Sequence, residues 1–248
     1  MYKNILLTGA TGKLGKALNN SKLFSDLIKP TRQTLDLTNI VLIKRCFEEN
    51  NIDAVIHCAA LARIVDCEKN PVKAIETNIM GTCNIVKTVF EHEEKKQKSI
   101  RFIHISTDGV YPGLRGDYSE NSETIPLNNY GWTKLGAESS VNLLSNFCII
   151  RTRFFDPDTI HYIQSANDLF TSKITLDNIV KAIHHMLFSN FTGTINIGNG
   201  KKSDFEIYSK YKPSILPCSI ADIEKEKGVS LGRDYSLDVS LWKKNLNS

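Results

Sequence analysis

The sequence predicts an α/β fold, a doubly wound parallel sheet with helices on both faces, and two observations predict it. Through the first two thirds of the chain, short apolar runs alternate with longer amphipathic ones, which is the pattern of βαβ units. The first apolar run, Ile5-Leu6-Leu7-Thr8, passes directly into a turn with glycines at 9, 12 and 15 and then into a helical stretch. That order belongs at the head of a Rossmann-type sheet. With 248 residues and 41% hydrophobic content, the chain can bury one sizeable core, so a single domain spanning 1–248 is expected.

Taken in order, the strands are expected at Asn4–Thr8, Asp26–Lys29, Ala54–Cys58, Arg101–Ser106, Asn146–Arg151 and Gly193–Ile197. Each is short and apolar, as buried parallel strands are. Helices are expected at Leu14–Asn19, Ile40–Glu49, Pro71–His92, Tyr130–Leu144 and Leu176–Ser189, where apolar residues recur at helical spacing. From Asn199 onward the pattern weakens into short apolar pieces, such as Ser214–Ile220 and Val239–Leu246, joined by Ser-, Lys- and Pro-containing connections. The expected organisation is a dinucleotide-binding core of 1–152 and 172–198, with 153–171 and 199–248 forming a small, shortened C-terminal substrate lobe.

Composition narrows the function classes. The formal net charge of +4 comes from 31 basic and 27 acidic residues spread along the chain, a surface suited to an anionic small molecule and too weakly basic to argue for nucleic acid. The six cysteines form no CxxC pair and sit mostly in apolar runs, so buried free thiols in a reducing compartment are expected and a metal site is not. The N-terminus enters an apolar strand directly, and no apolar run reaches the ~18 residues of a membrane span. A cytoplasmic protein without a membrane partner is expected.

The glycine turn carries the first functional reading. Gly9, Gly12 and Gly15 allow a tight turn and close approach of backbone N–H groups to a pyrophosphate at the helix start, which makes Gly9, Thr11, Gly12, Lys13, Leu14 and Gly15 candidate cofactor-binding residues. The spacing is GxxGxxG rather than GxGxxG. At the end of the second expected strand, Ile28-Lys29-Pro30-Thr31-Arg32-Gln33 has no carboxylate for an adenosine ribose. Arg32 could meet a 2′-phosphate instead, favouring NADPH with NADH also open, or it could be a solvated loop residue.

Tyr130-Gly131-Trp132-Thr133-Lys134 opens a helix, and residues four apart share a face. A lysine ammonium beside the phenol is expected to lower its pKa toward the working range of a proton donor and acceptor. Upstream, Phe102-Ile103-His104-Ile105-Ser106-Thr107-Asp108 is a strand ending in hydroxyls. The carboxyl ends of parallel strands face the ligand crevice, so Thr107 is expected to hydrogen-bond the same carbonyl oxygen as Tyr130. Thr107, Tyr130 and Lys134 are the candidate catalytic residues.

On these segments the chain resembles the extended short-chain dehydrogenase/reductases, and within them the dTDP-4-dehydrorhamnose reductases and other nucleotide-sugar reductases. His104-Ile105-Ser106-Thr107-Asp108-Gly109-Val110-Tyr111 and Pro126-Leu127-Asn128-Asn129-Tyr130-Gly131-Trp132-Thr133-Lys134 carry the resemblance, supported by Leu35-Asp36-Leu37-Thr38, Val65-Asp66-Cys67-Glu68 and Tyr235-Ser236-Leu237-Asp238. The resemblance implies that Asp36 and Leu37 contact adenine, that Ala59, Ala60 and Leu61 line the cofactor's path, and that Asn78 stands beside the active site. Each has a plainer alternative: Asp36 as a helix cap, the alanines as close packing, Asn78 as a structural hydrogen bond. Two departures bear on the substrate. The segment between Phe155 and Thr175 is shorter than the family's, and Asp234 stands where the family tends to have proline.

The resemblance implies reduction of a keto group on a nucleotide-linked sugar, most simply a dTDP- or UDP-4-keto-6-deoxyhexose. A nucleotide-sugar epimerase or dehydratase, and a non-catalytic cofactor-binding regulatory subunit, are the alternatives. The expected partners are the nucleotide-sugar substrate and, with the oligomeric state left open, a second copy in a homodimer.

Overall fold

The computed structural model of the chain describes residues 2–246, so the ends of the expected 1–248 domain lie outside the described residues. Five parallel strands form the central sheet: β1 (Ile5–Thr8), β2 (Ala54–His57), β3 (Arg101–Ile105), β4 (Phe147–Thr152) and β9 (Gly193–Ile197), side by side in that order. All but the entry to β9 are buried along their whole length, which is why they read as continuous apolar runs. Successive side chains nevertheless feed opposite faces. Leu7, Ile56, Ile103 and Ile150 pack on one face with residues of α1 (Lys13–Asn20), α7 (Leu176–Phe188) and α10 (Ser240–Leu246). Leu6, Val55, Phe102 and Ile149 pack on the other with α2 (Ile40–Asn50), α5 (Gly81–Lys96) and α6 (Asn129–Val141).

The expected strand Asp26–Lys29 does not form. Its contribution is one bridge, Ile28 against Leu6, held by Leu7 N–H to Ile28 O at 2.8 Å and Ile28 N–H to Ile5 O at 2.9 Å. Asp26 enters with φ +55° and Pro30 follows without an N–H, so the ladder has no way to lengthen at either end. Because this segment lies outside β1 while β2 lies on its other side, the chain reverses its direction of travel across the sheet between β1 and β2. A ligand crevice opens at the carboxyl ends of strands at such a reversal.

The expected helix Pro71–His92 runs on to Lys96 in three windings: α4 (Pro71–Ala74), a π-type segment Ile75–Met80 and α5. Helix α3 (Ile64–Lys69) was not expected, since six residues are too few for periodicity to register. Asn39 caps α2 by accepting from Val41 and Leu42 N–H, which corrects the alternative in which Asp36 did so. Helix α6 stops at Val141, short of the expected Leu144.

The remaining segments build three small sheets. They pair β5 (Phe154–Phe155) with β8 (Ile174–Thr175), β6 (Gln164–Ala166) with β11 (Leu216–Cys218), and β7 (Phe170–Thr171) with β10 (Lys202–Ser203). Helices α8 (Asp204–Ser209) and α9 (Ile220–Lys227) cover them, each started by a serine capping box. Two small apolar clusters, around Phe155 and Tyr208 and around Leu169 and Tyr235, hold this region together.

Candidate active site

A cleft of about 1060 Å³ runs from the glycine turn after β1, past the ends of β2, β3 and β4, to the small sheets. Its first wall is the turn itself. Gly9 has φ +71°, and a Cβ there would lie 2.7 Å from Ala59 N, so the turn and the residues after β2 meet backbone to backbone. Gly12 N–H closes the turn on Gly9 O at 3.0 Å. Helix α1 then begins with no side-chain cap and no acidic residue in its first turn, and Gly12, Lys13, Leu14 and Gly15 border the cleft. Uncapped N–H groups and the positive end of a helix dipole facing a cleft fit an anion such as a dinucleotide's pyrophosphate.

The second wall comes from β3 and α6. Thr107, two residues past the end of β3, is buried, accepts from Gly109 N–H at 3.0 Å and donates to Asp108 Oδ1 at 3.2 Å. Asn128 starts α6 by accepting from Gly131 N–H. Across the site, the Glu68 carboxylate of α3 accepts from Asn129 N–H at 2.8 Å and Asn129 Nδ2 at 3.0 Å. A Cβ on Gly131 would lie 2.3 Å from Gly109 O, so only glycine lets α6 sit against the turn after Thr107. That packing brings Tyr130, Thr107 and Lys134 onto one cleft.

The electrostatics differ from the expectation that Lys134 draws the phenol toward phenolate. Burial pushes Tyr130 up to about 12, with Asp108 acting in the same direction and Arg153 and Thr107 opposing. Lys134 donates toward His104 Nε2 at 3.2 Å. Burial brings its ammonium down to about 8, while Glu138 and Cys58 hold it up. A phenol so protonated is a proton donor at neutral pH.

Beneath these residues lies a polar layer that periodicity did not reveal. Thr82 donates to Asn78 O at 2.7 Å, so His57 Nε2 carries the proton it shares with Thr82 at 2.9 Å, and Nδ1 accepts from Thr8 at 2.7 Å. His57 is thus a neutral, satisfied imidazole, and burial holds it down to about 3. His104 stacks on it at 5.3 Å. Glu138 accepts from Ser106 at 2.5 Å and from Arg151 Nη2 at 2.7 Å, and Arg151 continues to Tyr111 at 2.9 Å.

Of the cofactor candidates, Gly9, Gly12, Lys13, Leu14, Gly15, Ala60, Tyr130 and Lys134 border the cleft. Thr11 is exposed within the turn, and Ala59 packs against Gly9. Asn78 is buried and fully engaged: Oδ1 accepts from Leu61 N–H at 2.7 Å, and Nδ2 donates to Leu61 O at 3.1 Å and Thr133 Oγ1 at 2.9 Å. It therefore bears on the site by tying the segment after β2 to α6. Arg32, Asp36 and Leu37 do not border the cleft. Arg32 borders a separate hollow of about 510 Å³ with Lys69 and Lys73. The Asp36 carboxylate accepts from Thr38 N–H and Oγ1, and Leu37 is buried under Gly81. Sequence reasoning missed Arg153, Lys173, Asp204 and Tyr208, all on the cleft. Their signal was faint, since they fall in or beside elements too short to carry a readable period.

A family profile described as the RmlD substrate binding domain matches residues 3–158. A dTDP-4-keto-6-deoxy-D-glucose reductase of Streptomyces niveus is 32% identical over 141 residues, 55% of this chain and 46% of its own length. A dTDP-4-dehydrorhamnose reductase of Mycolicibacterium smegmatis is 32% identical over 145 residues, 57% of this chain and 42% of its own length. The chain thus spans about half the length of the curated relatives it matches. In fold, the crystal structure of dTDP-4-dehydrorhamnose reductase from Bacillus anthracis in complex with NADP superposes with a TM-score of 0.86 at 23% identity, covering 99% of this chain and 93% of that one.

Proposed function

This chain belongs to the RmlD substrate binding domain family, and on that premise we propose that it is an NAD(P)H-dependent reductase of a keto group on a nucleotide-linked sugar. The observation that carries the reading is the meeting of Thr107, Tyr130 and Lys134 on the same cleft into which the uncapped glycine turn opens. The pyrophosphate would lie on the N–H groups of residues 12–15, and Tyr130 and Lys134 would border the nicotinamide end. Arg32, with Lys69 and Lys73 nearby, supports NADPH over NADH.

When bound, the dinucleotide supplies a hydride to the carbonyl carbon. Tyr130 donates the proton that the carbonyl oxygen takes up, as a buried phenol can. Thr107 holds that oxygen by turning its hydroxyl from the long 3.2 Å bond to Asp108. Lys134 keeps donors free beyond His104 for a ribose hydroxyl. Segments 153–171 and 199–248 serve as the substrate lobe, a reading supported by Arg153, Lys173, Asp204, Tyr208 and Tyr235 along the cleft. We place the protein in the cytoplasm, as a homodimer or a single chain.

NADPH oxidation with a panel of UDP- and dTDP-linked keto sugars tests the proposal. Turnover with at least one of them, lost in Tyr130→Phe, is expected. NADPH binding with no turnover across the panel would instead favour a cofactor-binding regulatory subunit.

A further inference from the structure

Arg153 borders the cleft, and the reduction as described gives it nothing to do. Its Nε lies 2.9 Å from Asp108 Oδ1 and 2.8 Å from Oδ2, and its guanidinium carbon stands 4.8 Å over the Tyr235 ring. Asp108 is fully buried behind it, whereas the Arg153 side chain keeps 26% of its exposure. The two terminal nitrogens make no hydrogen bond among the described residues, and neither is a buried orphan. They are therefore donors held open to the cleft, with the guanidinium plane already oriented by the carboxylate behind it and the ring beneath it. Such a planar fork matches a carboxylate bidentately.

Its place relative to the chemistry is equally defined. Asp108 Oδ1 accepts both the Thr107 hydroxyl at 3.2 Å and the Arg153 Nε at 2.9 Å. One oxygen atom therefore separates the hydroxyl that would hold the substrate's carbonyl oxygen from the guanidinium. Whatever the fork binds is attached close to the reacting carbon. Lys173, the neighbouring cation, is no rival anchor. Its Nζ lies 2.5 Å from Asp204 Oδ2 and 4.6 Å from the Tyr208 ring centroid, and its side chain is 7% exposed.

We propose that Arg153 anchors a carboxylate carried by the substrate beside its reacting carbonyl, which makes the substrate a nucleotide-linked keto-uronic acid rather than a neutral deoxysugar. The inference rests on the nucleotide-sugar reading of the cleft and narrows it. The other anion such a substrate carries is its diphosphate, attached at the anomeric carbon and so further from a carbonyl across the sugar ring.

Calorimetric titration of the full chain saturated with NADP⁺ separates these cases. The titrants are the glucuronate ester, the glucose ester and the free diphosphate of whichever of UDP or dTDP binds more tightly. The glucuronate ester should bind about 10- to 100-fold more tightly than the glucose ester, the usual worth of a charge-assisted pair. Arg153→Gln should erase that advantage without changing the affinity for the free diphosphate, and Arg153→Lys should keep part of it. Equal binding of the two esters by the unsubstituted chain overturns the proposal while leaving the nucleotide-sugar reading intact, and needs no variant to fold. Loss of free diphosphate affinity in Arg153→Gln also overturns it, by assigning the fork to the diphosphate. If NADP⁺ binds and no ester or diphosphate does, the nucleotide-sugar reading fails and the proposal falls with it.

Discussion

Lys134 carries a pH dependence whose sign and position follow from its surroundings. It is 2% exposed, and burial brings its ammonium down to about 8 against the pull of Glu138 and Cys58. The groups facing it are His104 from β3, Cys58 after β2 and Glu138 on its own helix. Burial keeps His104 neutral and pushes the Cys58 thiol up to about 12, so neither changes charge between pH 7 and 9. Lys134 does. If its charged form is the one that binds the ribose, kcat/KM for NADPH should be flat below about pH 7.5. Above about pH 8 it should fall roughly tenfold per pH unit, as a single required proton dictates. Limiting NADPH is the right condition because kcat/KM then reports the free enzyme. Glu138→Gln removes the charge that holds the ammonium up, so its break should move to lower pH. A profile that stays flat to pH 10, or one that keeps the same break in Lys134→Met, would refute the assignment.

Three further outcomes are expected. Tyr130→Phe should fold and bind NADPH nearly as well as the parent while its chemical step slows ~10²–10⁴-fold, the usual worth of a general acid; single-turnover rates check this, and a parent-like rate would remove Tyr130 as the proton donor. Gly131→Ala drives a Cβ to within 2.3 Å of Gly109 O, so α6 must shift, at a cost of ~1–3 kcal/mol in denaturant unfolding, and turnover should fall along with it. Stability like the parent's would show the approach to be slack. His57 is held down to about 3 from 6.5 by burial, so between those values the unfolded chain binds the extra proton and stability rises with pH. The His57 share is complete above about pH 6.5 and drains away on acidification by up to ~1.4 kcal/mol per pH unit. Unfolding at pH 7 and pH 5 should therefore show a smaller acid loss in His57→Asn than in the parent, and equal losses would mean that the imidazole is not the buried neutral group described.

The sheet was legible because parallel strands are buried on both faces, and burial writes itself into sequence as runs such as Ala54-Val55-Ile56 and Phe102-Ile103. Asp26–Lys29 carries a similar apolar pair, and composition could not show that a left-handed Asp26 and a following proline would leave it with a single bridge. The glycine turn, Thr107, Tyr130 and Lys134 were legible for a different reason: each sits at a strand end or helix start, positions fixed by local rules. Glu68, His104 and Glu138 act across 61, 30 and 32 residues on Asn129, Lys134 and Ser106. No local pattern carries a partnership of that span.

Residues that serve the cofactor must meet a backbone turn and a helix end, so their order along the chain is constrained. Residues that meet the sugar come from the irregular segments, where β5 and β8, or β7 and β10, are two residues each and impose no readable period. Arg153 illustrates the point. In sequence it is one arginine beside another, Arg151, two residues away on the last strand before the lobe. In space the two part company: Arg151 turns into the layer under α6 and is consumed by Glu138 and Tyr111, while Arg153, on the cleft, meets the buried Asp108 through Nε and makes no hydrogen bond through its terminal nitrogens among the described residues. Alternation along a strand would have put both on one face, and it is the end of β4 at Thr152 that releases Arg153 from that rule. The chemistry of the pocket is therefore decided one residue beyond the point where periodicity stops.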